Sequence, residues 1–573
     1  MMAALPLCAL QEFPRPDWKE HRSPDASPLA EPGGSLCEYE GPSPKSLNYY
    51  LDNNSTSARV FSMMYETLLS LDSETLDFVP CLANRWTISD DLTEYTFWLD
   101  PAARWSDGQP ITAEDVVWTY QAIVNPKNLT GPHKYRLERV YPPEIVENGA
   151  AVRFKAKDVH WQTLLSLSGF EILPAHAFRN KDFNEINFEF PVTSGPYRIA
   201  NFQEGRELLM KKNPTWWQKD RPSNEGVNNF DELRLVFYED QDNAFDAFKK
   251  GEIDVFFVYT ASQWQKIEEK VTAVRNNWIV KQSVHNHHPI GMQGFVMNMR
   301  RPLFQDVRVR QALAYLLDRD RLNRTMMFSQ YFLHRSYWED LYDDEHPNEN
   351  PDYPYAPERA KELLKEAGWA VNPKTGYLEK DGRVFEFTFL STSPSHDKYL
   401  SAYNEALKAA GIKMTIQNQD WSAWAKAMDE YNFDMTWAAW GSSLFKDPEQ
   451  LWYSAEADRK GSSNLAGFKN AEVDALIERQ RGILDIRERN EILRQIDKIL
   501  CRECPYVLLW NIGYNRILYW NKFGTPKHVS GKYSGDAGTG LWWFSEDAAD
   551  ELADAMEDGT PLPPKPAEIF WGK

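Results

Sequence analysis

Cys501 and Cys504 stand three residues apart and are the first candidates for reactive chemistry. A C-x-x-C pair does dithiol redox work when it opens a helix after a strand, and it supplies half of a zinc site when a second half exists. Here the pair closes a long helical pattern, Pro505 follows it, and no second half is visible. Ordinary packing or an incidental disulfide is the expectation. His285, His287 and His288 have no helical spacing that sets them on one face, and no carboxylate partner can be assigned, so no metal site is expected. The run Gly535-Asp536-Ala537-Gly538-Thr539-Gly540 does not lie between a strand and a helix, as a phosphate cradle must, and reads as a flexible loop. No G-x-S-x-G elbow, Walker A loop, H-E-x-x-H helix or EF-hand loop occurs. Among 84 acidic residues no pair is singled out as general acid and base. No cofactor and no catalytic residues are expected.

The aromatic residues are more informative. Tryptophans gather at Trp216-Trp217, Trp421, Trp424, Trp437, Trp440, Trp452 and Trp542-Trp543. Most are expected in the core. Trp421 and Trp440 differ, because they fall at predicted carboxyl ends of strands, where a ring lines a cleft and takes up a peptide side chain or a sugar.

Two stretches alternate between strand and helix patterns. In the first, Leu233 to Tyr238 and Ile253 to Val258 are strands flanking a helix from Gln241 to Lys250, stopped by Gly251. In the second, strands at Val384 to Leu390, Ile412 to Gln417 and Phe433 to Trp440 enclose helices at Lys398 to Ala410 and Ser422 to Glu430. Such alternation predicts parallel sheets with right-handed crossovers, hence an α/β fold with two sheet-bearing lobes. Ligands of open α/β sheets bind beyond the carboxyl ends of the strands. Those ends are 391–396, 419–421 and 441–446 in the second stretch, and 239–241 and 259–262 in the first.

Further strands are expected at Tyr95 to Leu99 and Ala151 to Phe154, and Thr112 with Asp115 forms a capping box for the helix that follows. Thr56 or Ser57 is expected to cap the run Val60 to Leu69. Pro357 opens a helix that Gly368 ends. Ala471 to Cys501 reads as a long helix broken near Gly482, its charges forming a solvated face. Met1 to Leu10 reads as the tail of an export signal lacking its positive start or as a start-site artefact, Leu5-Pro6-Leu7 is a poor signal for lipid attachment at Cys8, and residues 11–32 read as a disordered lead-in. The tail from Asp547 is acidic, then Pro-rich, and is expected to pack loosely.

Length and charge bound these readings. At 573 residues the chain is long enough for several domain-sized units and a large core. A net charge of −20 argues against phosphate-backbone binding. Aromatic residues at 14 % exclude a long disordered protein. Mean hydropathy is −0.59, and no apolar run approaches the roughly 18 residues of a membrane span.

Motifs in a fixed order then carry a resemblance. They are Trp86, Asp90, Tyr95-Thr96-Phe97, Trp105-Ser106-Asp107-Gly108, Pro110, Thr112-Ala113 and Asp115-Val116. Ser194-Gly195-Pro196-Tyr197, Lys212-Asn213-Pro214, Asn298, the run Asp306 to Leu313, and Asp318 follow. Through them, over residues 33–545, the chain resembles the bacterial family 5 extracellular solute-binding proteins, the peptide receptors of ABC importers. Arg300-Arg301-Pro302-Leu303-Phe304, Tyr331 with Arg335-Ser336-Tyr337, and Trp440-Gly441-Ser442-Ser443-Leu444 resemble the branch importing microcin C-type, murein-derived and related oligopeptides.

The resemblance implies a two-lobed periplasmic-binding-protein type II (cluster C) fold with an extra subdomain on the first lobe. Residues 33–47, 191–293 and 520–573 would form that lobe, 48–190 the inserted subdomain, and 294–519 the second lobe, with crossings near Phe295 to Asn298 and Asn515 to Trp520. It also implies a periplasmic or extracytoplasmic monomer that traps an oligopeptide between its lobes by hinge closure and docks on a permease–ATPase complex. Candidate ligand contacts are Asn54, Ser55, Tyr259, Arg335, Tyr337, Trp421, Trp440, Ser442 and Ser443. Arg335 either pairs bidentately with a ligand carboxylate or serves a structural ion pair. Many family members carry an Asp just after the strand-ending Trp, where it pairs with the ligand's α-amino group. This chain has Ser442-Ser443-Leu444-Phe445 there, and Asp447 matches a downstream Asp-Pro instead. A longer, modified or internally gripped peptide is therefore expected. The alternatives are an oligosaccharide receptor of the same fold and, more distantly, a glycoside hydrolase or peptidase.

Overall fold

A computed structural model describes residues 11–13, 18–51, 54–185, 190, 192–535 and 537–572. Cys8 and the rest of the first ten residues, Asp52, Asn53 and Asp536 lie outside the described residues. The chain divides into two compact units. One comprises residues up to Tyr259, Lys266–Asn286 and Tyr514 onward; the other comprises Thr260–Gln265 and His287–Gly513.

The first unit carries an eight-stranded sheet in the order Glu568–Phe570, Ile279–His285, Asn515–Trp520, Val255–Phe257, Ser35–Tyr39, Glu232–Val236, Glu207–Lys212, Tyr197–Gln203. The predicted strand–helix–strand is present as Glu232–Val236, Gln241–Lys249 and Val255–Phe257. Its two strands are not neighbours: Ser35–Tyr39 lies between them, parallel to both. The flanking pairs are antiparallel, so the sheet is mixed where a parallel one was expected. Tyr197–Gln203 and Glu207–Lys212 are joined by a short connection, and a short connection permits only antiparallel pairing. A second, antiparallel five-stranded sheet runs Gln11–Phe13, Ala83–Ile88, Glu94–Leu99, Ala151–Lys155, Glu144–Val146. The capping box forms as expected, with the Asp115 carboxylate accepting from Thr112 N at 2.8 Å.

Three local expectations need correction. The helix Ser55–Met64 is capped by Asn54, whose side-chain oxygen accepts from Thr56 N at 2.8 Å, while Thr56 and Ser57 are buried inside it. Within the lead-in, Gln11–Phe13 pairs with Ala83–Ile88, and Phe13 stacks on Trp86 at 5.4 Å. The tail is a helix, Glu546–Asp558, and a strand, Glu568–Phe570, laid parallel on Ile279–His285. The tail is also pinned by Trp278 Nε1 donating to the Thr560 carbonyl and Gln282 Nε2 to the Pro566 carbonyl. A strand edge needs hydrogen-bond partners whatever the composition of the segment that supplies them. Deleting residues 559–573 uncovers that edge. The truncated protein is expected to self-associate in light scattering where the full chain does not.

In the second unit the predicted βαβαβ stretch appears as Glu386–Ser391, Asp397–Ala409, Lys413–Asn418, Trp421–Asp429 and Met435–Trp440. The sheet order is Lys413–Asn418, Glu386–Ser391, Met435–Trp440, Met292–Met297, Tyr506–Leu508. The first three strands are parallel and the last two antiparallel. Successive residues feed different cores: Phe295 and Phe389 join one apolar cluster, Val296 and Leu390 the other. The sheet is thus buried on both faces, which explains its near-continuous apolar runs. The long charged helix is interrupted, as expected, giving Ala471–Gln480 and Ile486–Glu503, the second capped by Asp485.

Candidate functional site

Three parallel strands of the second unit end together, at Ser391, Asn418 and Trp440. Each end presents a buried polar atom with no hydrogen-bond partner within the described chain: His396 Nδ1, Gln419 Oε1 and Ser442 Oγ. All three lie beyond the carboxyl ends of the parallel strands, where open α/β sheets bind their ligands. His396 stacks on Trp437 at 4.3 Å, and burial pushes its pKa below the ordinary histidine value, keeping it neutral.

Trp421 opens the helix Trp421–Asp429, is 67 % exposed, and stacks on Trp424 at 4.8 Å. Trp424 is anchored through Nε1 to Thr436 Oγ1 at 2.8 Å. An exposed indole fixed from behind is a rigid platform for an apolar or planar group. Trp440 is half-buried, its Nε1 donating to the Tyr506 hydroxyl at 3.1 Å. Ser443 is exposed, and its carbonyl accepts from Lys446 Nζ. Lys446 is buried and pairs with Asp340 at 2.7 Å, tying the 441–446 loop to the segment that bears Arg335.

Arg335 is exposed, with one side-chain bond, from Nη2 to the Asn350 carbonyl at 3.0 Å. Among the described residues its other guanidinium nitrogens meet no acceptor. Tyr337 was expected to touch a ligand and does not reach the surface. It is 2 % exposed, packs edge-on to Trp452 at 4.9 Å, and its hydroxyl accepts from Tyr506 N. It is linked to Trp440 through Tyr506, whose N–H it accepts and whose hydroxyl accepts from Trp440 Nε1. A cavity of about 20 Å³ lies beneath, lined by Arg319, His334, Arg335, Tyr337, Cys501 and Cys504, with room for about one water.

In the first unit Tyr259 follows the strand Val255–Phe257, is 69 % exposed, and stacks on Phe257. Asn54 and Ser55 start the helix Ser55–Met64, and the Asn54 side chain is occupied by the cap. The same helix sends Arg59 to Glu38 and Glu40 at the carboxyl end of Ser35–Tyr39.

The other candidate motifs settle into structural places. Cys501 and Cys504 are buried free thiols, and burial raises the pKa of Cys504 to about 12, so neither is a thiolate at neutral pH. His285 has a carboxylate partner after all, Glu568 at 2.6 Å, supplied by the tail. No three metal-ligating side chains come together among the described residues. Asp447 accepts from Glu449 N, as a helix cap does.

Sequence reasoning missed Asp497. It was read as part of a solvated helix, yet it is fully buried. Its signal was its place on the apolar stripe of Leu493, Ile496 and Leu500.

Taken together, the second unit's strand ends offer aromatic faces, hydroxyls, an amide, an imidazole and a guanidinium. That is the equipment of noncovalent recognition.

Comparison with known proteins agrees. The model of bacterial extracellular solute-binding proteins, family 5 middle, matches residues 77–462. A putative binding protein of Brucella suis biovar 1 is 31 % identical over 505 residues, covering 81 % of each chain. A probable peptide-binding protein of Agrobacterium fabrum, YejA, is 29 % identical over 529 residues, covering 84 % of each. The oligopeptide-binding protein AppA of Bacillus subtilis, solved with a nonapeptide, superposes with a TM-score of 0.70 at 24 % identity, over 90 % of this chain and all of that one. This last likeness shows the fold. No helix among the described residues is long and apolar enough to cross a membrane.

Proposed function

The chain belongs to family 5 of the bacterial extracellular solute-binding proteins, and on that premise we propose that its solute is an oligopeptide, delivered to the permease of an ABC importer. The observation that carries the choice of solute is the group of unpartnered atoms His396 Nδ1, Gln419 Oε1 and Ser442 Oγ at these strand ends, with the exposed Trp421 after one of the same strands and the exposed Arg335 on the segment that Lys446 ties to the 441–446 loop. A peptide backbone offers alternating donors and acceptors to such unpartnered atoms, its side chains meet indole faces, and its carboxylate meets an arginine. The printed name of the Agrobacterium relative supports the same class. With serines at 442 and 443, the α-amino group meets hydroxyls there, so longer or amino-modified peptides are accommodated. In this reading the protein works outside the cytoplasm as a monomer. Tyr337 is proposed as support for Trp440, through Tyr506.

Titration of intrinsic fluorescence with alanine peptides and with cello- and xylo-oligosaccharides tests this. Saturable change with peptides, largely lost in Trp421→Ala, is the expected result. Response to the sugars alone replaces the peptide reading with a saccharide one, and turnover of a peptide or glycoside by the pure protein ends the receptor reading. Arg335→Ala is expected to weaken peptide binding about tenfold or more.

A further inference from the structure

Arg335 rides on a segment whose conformation is held by one buried carboxylate. Asp497 lies on the helix Ile486–Glu503 and is fully buried. It accepts from Ser336 Oγ at 2.7 Å, Tyr337 N at 2.8 Å, Tyr342 Oη at 2.7 Å and Asn350 Nδ2 at 2.6 Å. All four donors belong to the 335–350 segment, and between them they occupy both carboxylate oxygens. Asn350 passes the restraint to Arg335 on two sides. Its Nδ2 donates to the Arg335 carbonyl at 3.3 Å, and its own carbonyl accepts from Arg335 Nη2. A second carboxylate, Glu339, accepts from Arg335 N at 2.6 Å and Ser336 N at 2.9 Å. The main chain at Arg335 is therefore gripped, while its guanidinium is directed by a single bond to Asn350.

We propose that Asp497 is a positioning residue for solute capture: through Asn350 it aims the Arg335 guanidinium at the carboxylate of a bound peptide. The inference rests on the peptide-receptor reading above. A long, flexible side chain loses rotamer freedom when it binds, so a scaffold that restricts it beforehand strengthens each contact it makes. Four donors converging on one buried carboxylate form a unit whose parts are not independent, which a double-mutant cycle detects. Asp497→Asn keeps the shape but turns an –NH2 toward incoming donors, so at least one of the four bonds is lost.

The test measures binding by isothermal titration calorimetry for the tightest-binding member of an alanine series of three to nine residues, as the free acid and as its C-terminal amide. Proteins compared are the wild type, Asp497→Asn, Arg335→Ala and the double variant. Tyr342→Phe, which removes one donor and keeps the carboxylate, serves if Asp497→Asn fails to fold by circular dichroism. Each single variant is expected to weaken the free acid about tenfold, and the double variant by little more than either alone. The amide should bind the wild type about tenfold more weakly than the acid and be insensitive to both substitutions. If the two losses multiply to about a hundredfold, or if acid and amide suffer equally in Asp497→Asn, Asp497 acts only on stability and the proposal is overturned while the receptor reading stands. If no alanine peptide binds the wild type, the peptide reading fails and the positioning role falls with it.

Discussion

Replacing Glu66 with leucine should lower the melting temperature of the first unit by roughly 10 °C, corresponding to about 3–5 kcal/mol. Glu66 is buried and accepts from Trp216 Nε1 at 2.9 Å, Trp217 Nε1 at 2.7 Å and Gln218 Nε2 at 2.6 Å. Leucine would leave the indole N–H groups of buried Trp216 and half-buried Trp217 without their acceptor, and Gln218 Nε2 with only Cys81 Sγ at 3.6 Å. Behind them Arg221 stacks over Trp217 and pairs with Asp100 at 2.8 Å, so the disturbance spreads. Burial pushes the Glu66 carboxyl up to about 7, against an ordinary value of 4.5, although the three donors and Arg221 pull it down. A folded-state pKa above the unfolded one means that the folded chain holds this proton more tightly. Its contribution is fully present below pH 4.5, falls as pH rises toward 7, and is gone above that. The span is about 3 kcal/mol. Glu66→Gln cannot titrate, so the wild type's stability advantage over it should widen by about 3 kcal/mol from pH 8 to pH 4.5 in urea titrations. A constant difference would show that Glu66 stays ionised throughout.

The second large effect is expected at Trp452, in the other unit. It is 1 % exposed and meets Tyr337 at 4.9 Å and Tyr506 and Phe468 at 5.8 Å, all edge to face. Trp452→Ala should destabilise that unit by about 3–5 kcal/mol. Tyr506 holds the Trp440 indole, so peptide affinity should fall with it. The control is unusual. Trp452 Nε1 is buried without a partner, so Trp452→Phe loses no hydrogen bond and should cost under about 1.5 kcal/mol. Thermal denaturation of the two variants decides the matter. Equal losses would mean that the indole nitrogen has a partner and that the ring's volume is not what supports Trp440.

Much of the second unit was legible along the chain. Its five alternating elements lie within two residues of the predicted ones, because each carries its own period of apolar residues and its own stop, such as Gly411 after Asp397–Ala409. The carboxyl ends where Trp421, Trp440 and Ser442 gather followed from that alternation alone. Composition misled at the termini. The Pro-rich tail reads as loose, yet the edge of Ile279–His285 takes it as a strand. At Asn54 the same polar residue suits a ligand contact or a helix cap, and in the structure its side-chain oxygen serves the cap.

The amino-acid sequence by itself determined the α/β alternation, the capping box of Thr112 and Asp115, and the family, because these depend on residues a few positions apart or on motifs kept in order. Only the tertiary structure decided that Tyr337 faces inward, that His285 meets Glu568, and that Asp497 gathers Ser336, Tyr342 and Asn350. Ser336 and Asn350 lie 161 and 147 residues away from Asp497 in the chain. Periodicity reports which face of a helix is buried. It carries no record of which distant donors that face will meet, and for a buried carboxylate those donors are what separate a packing position from a place beside the site.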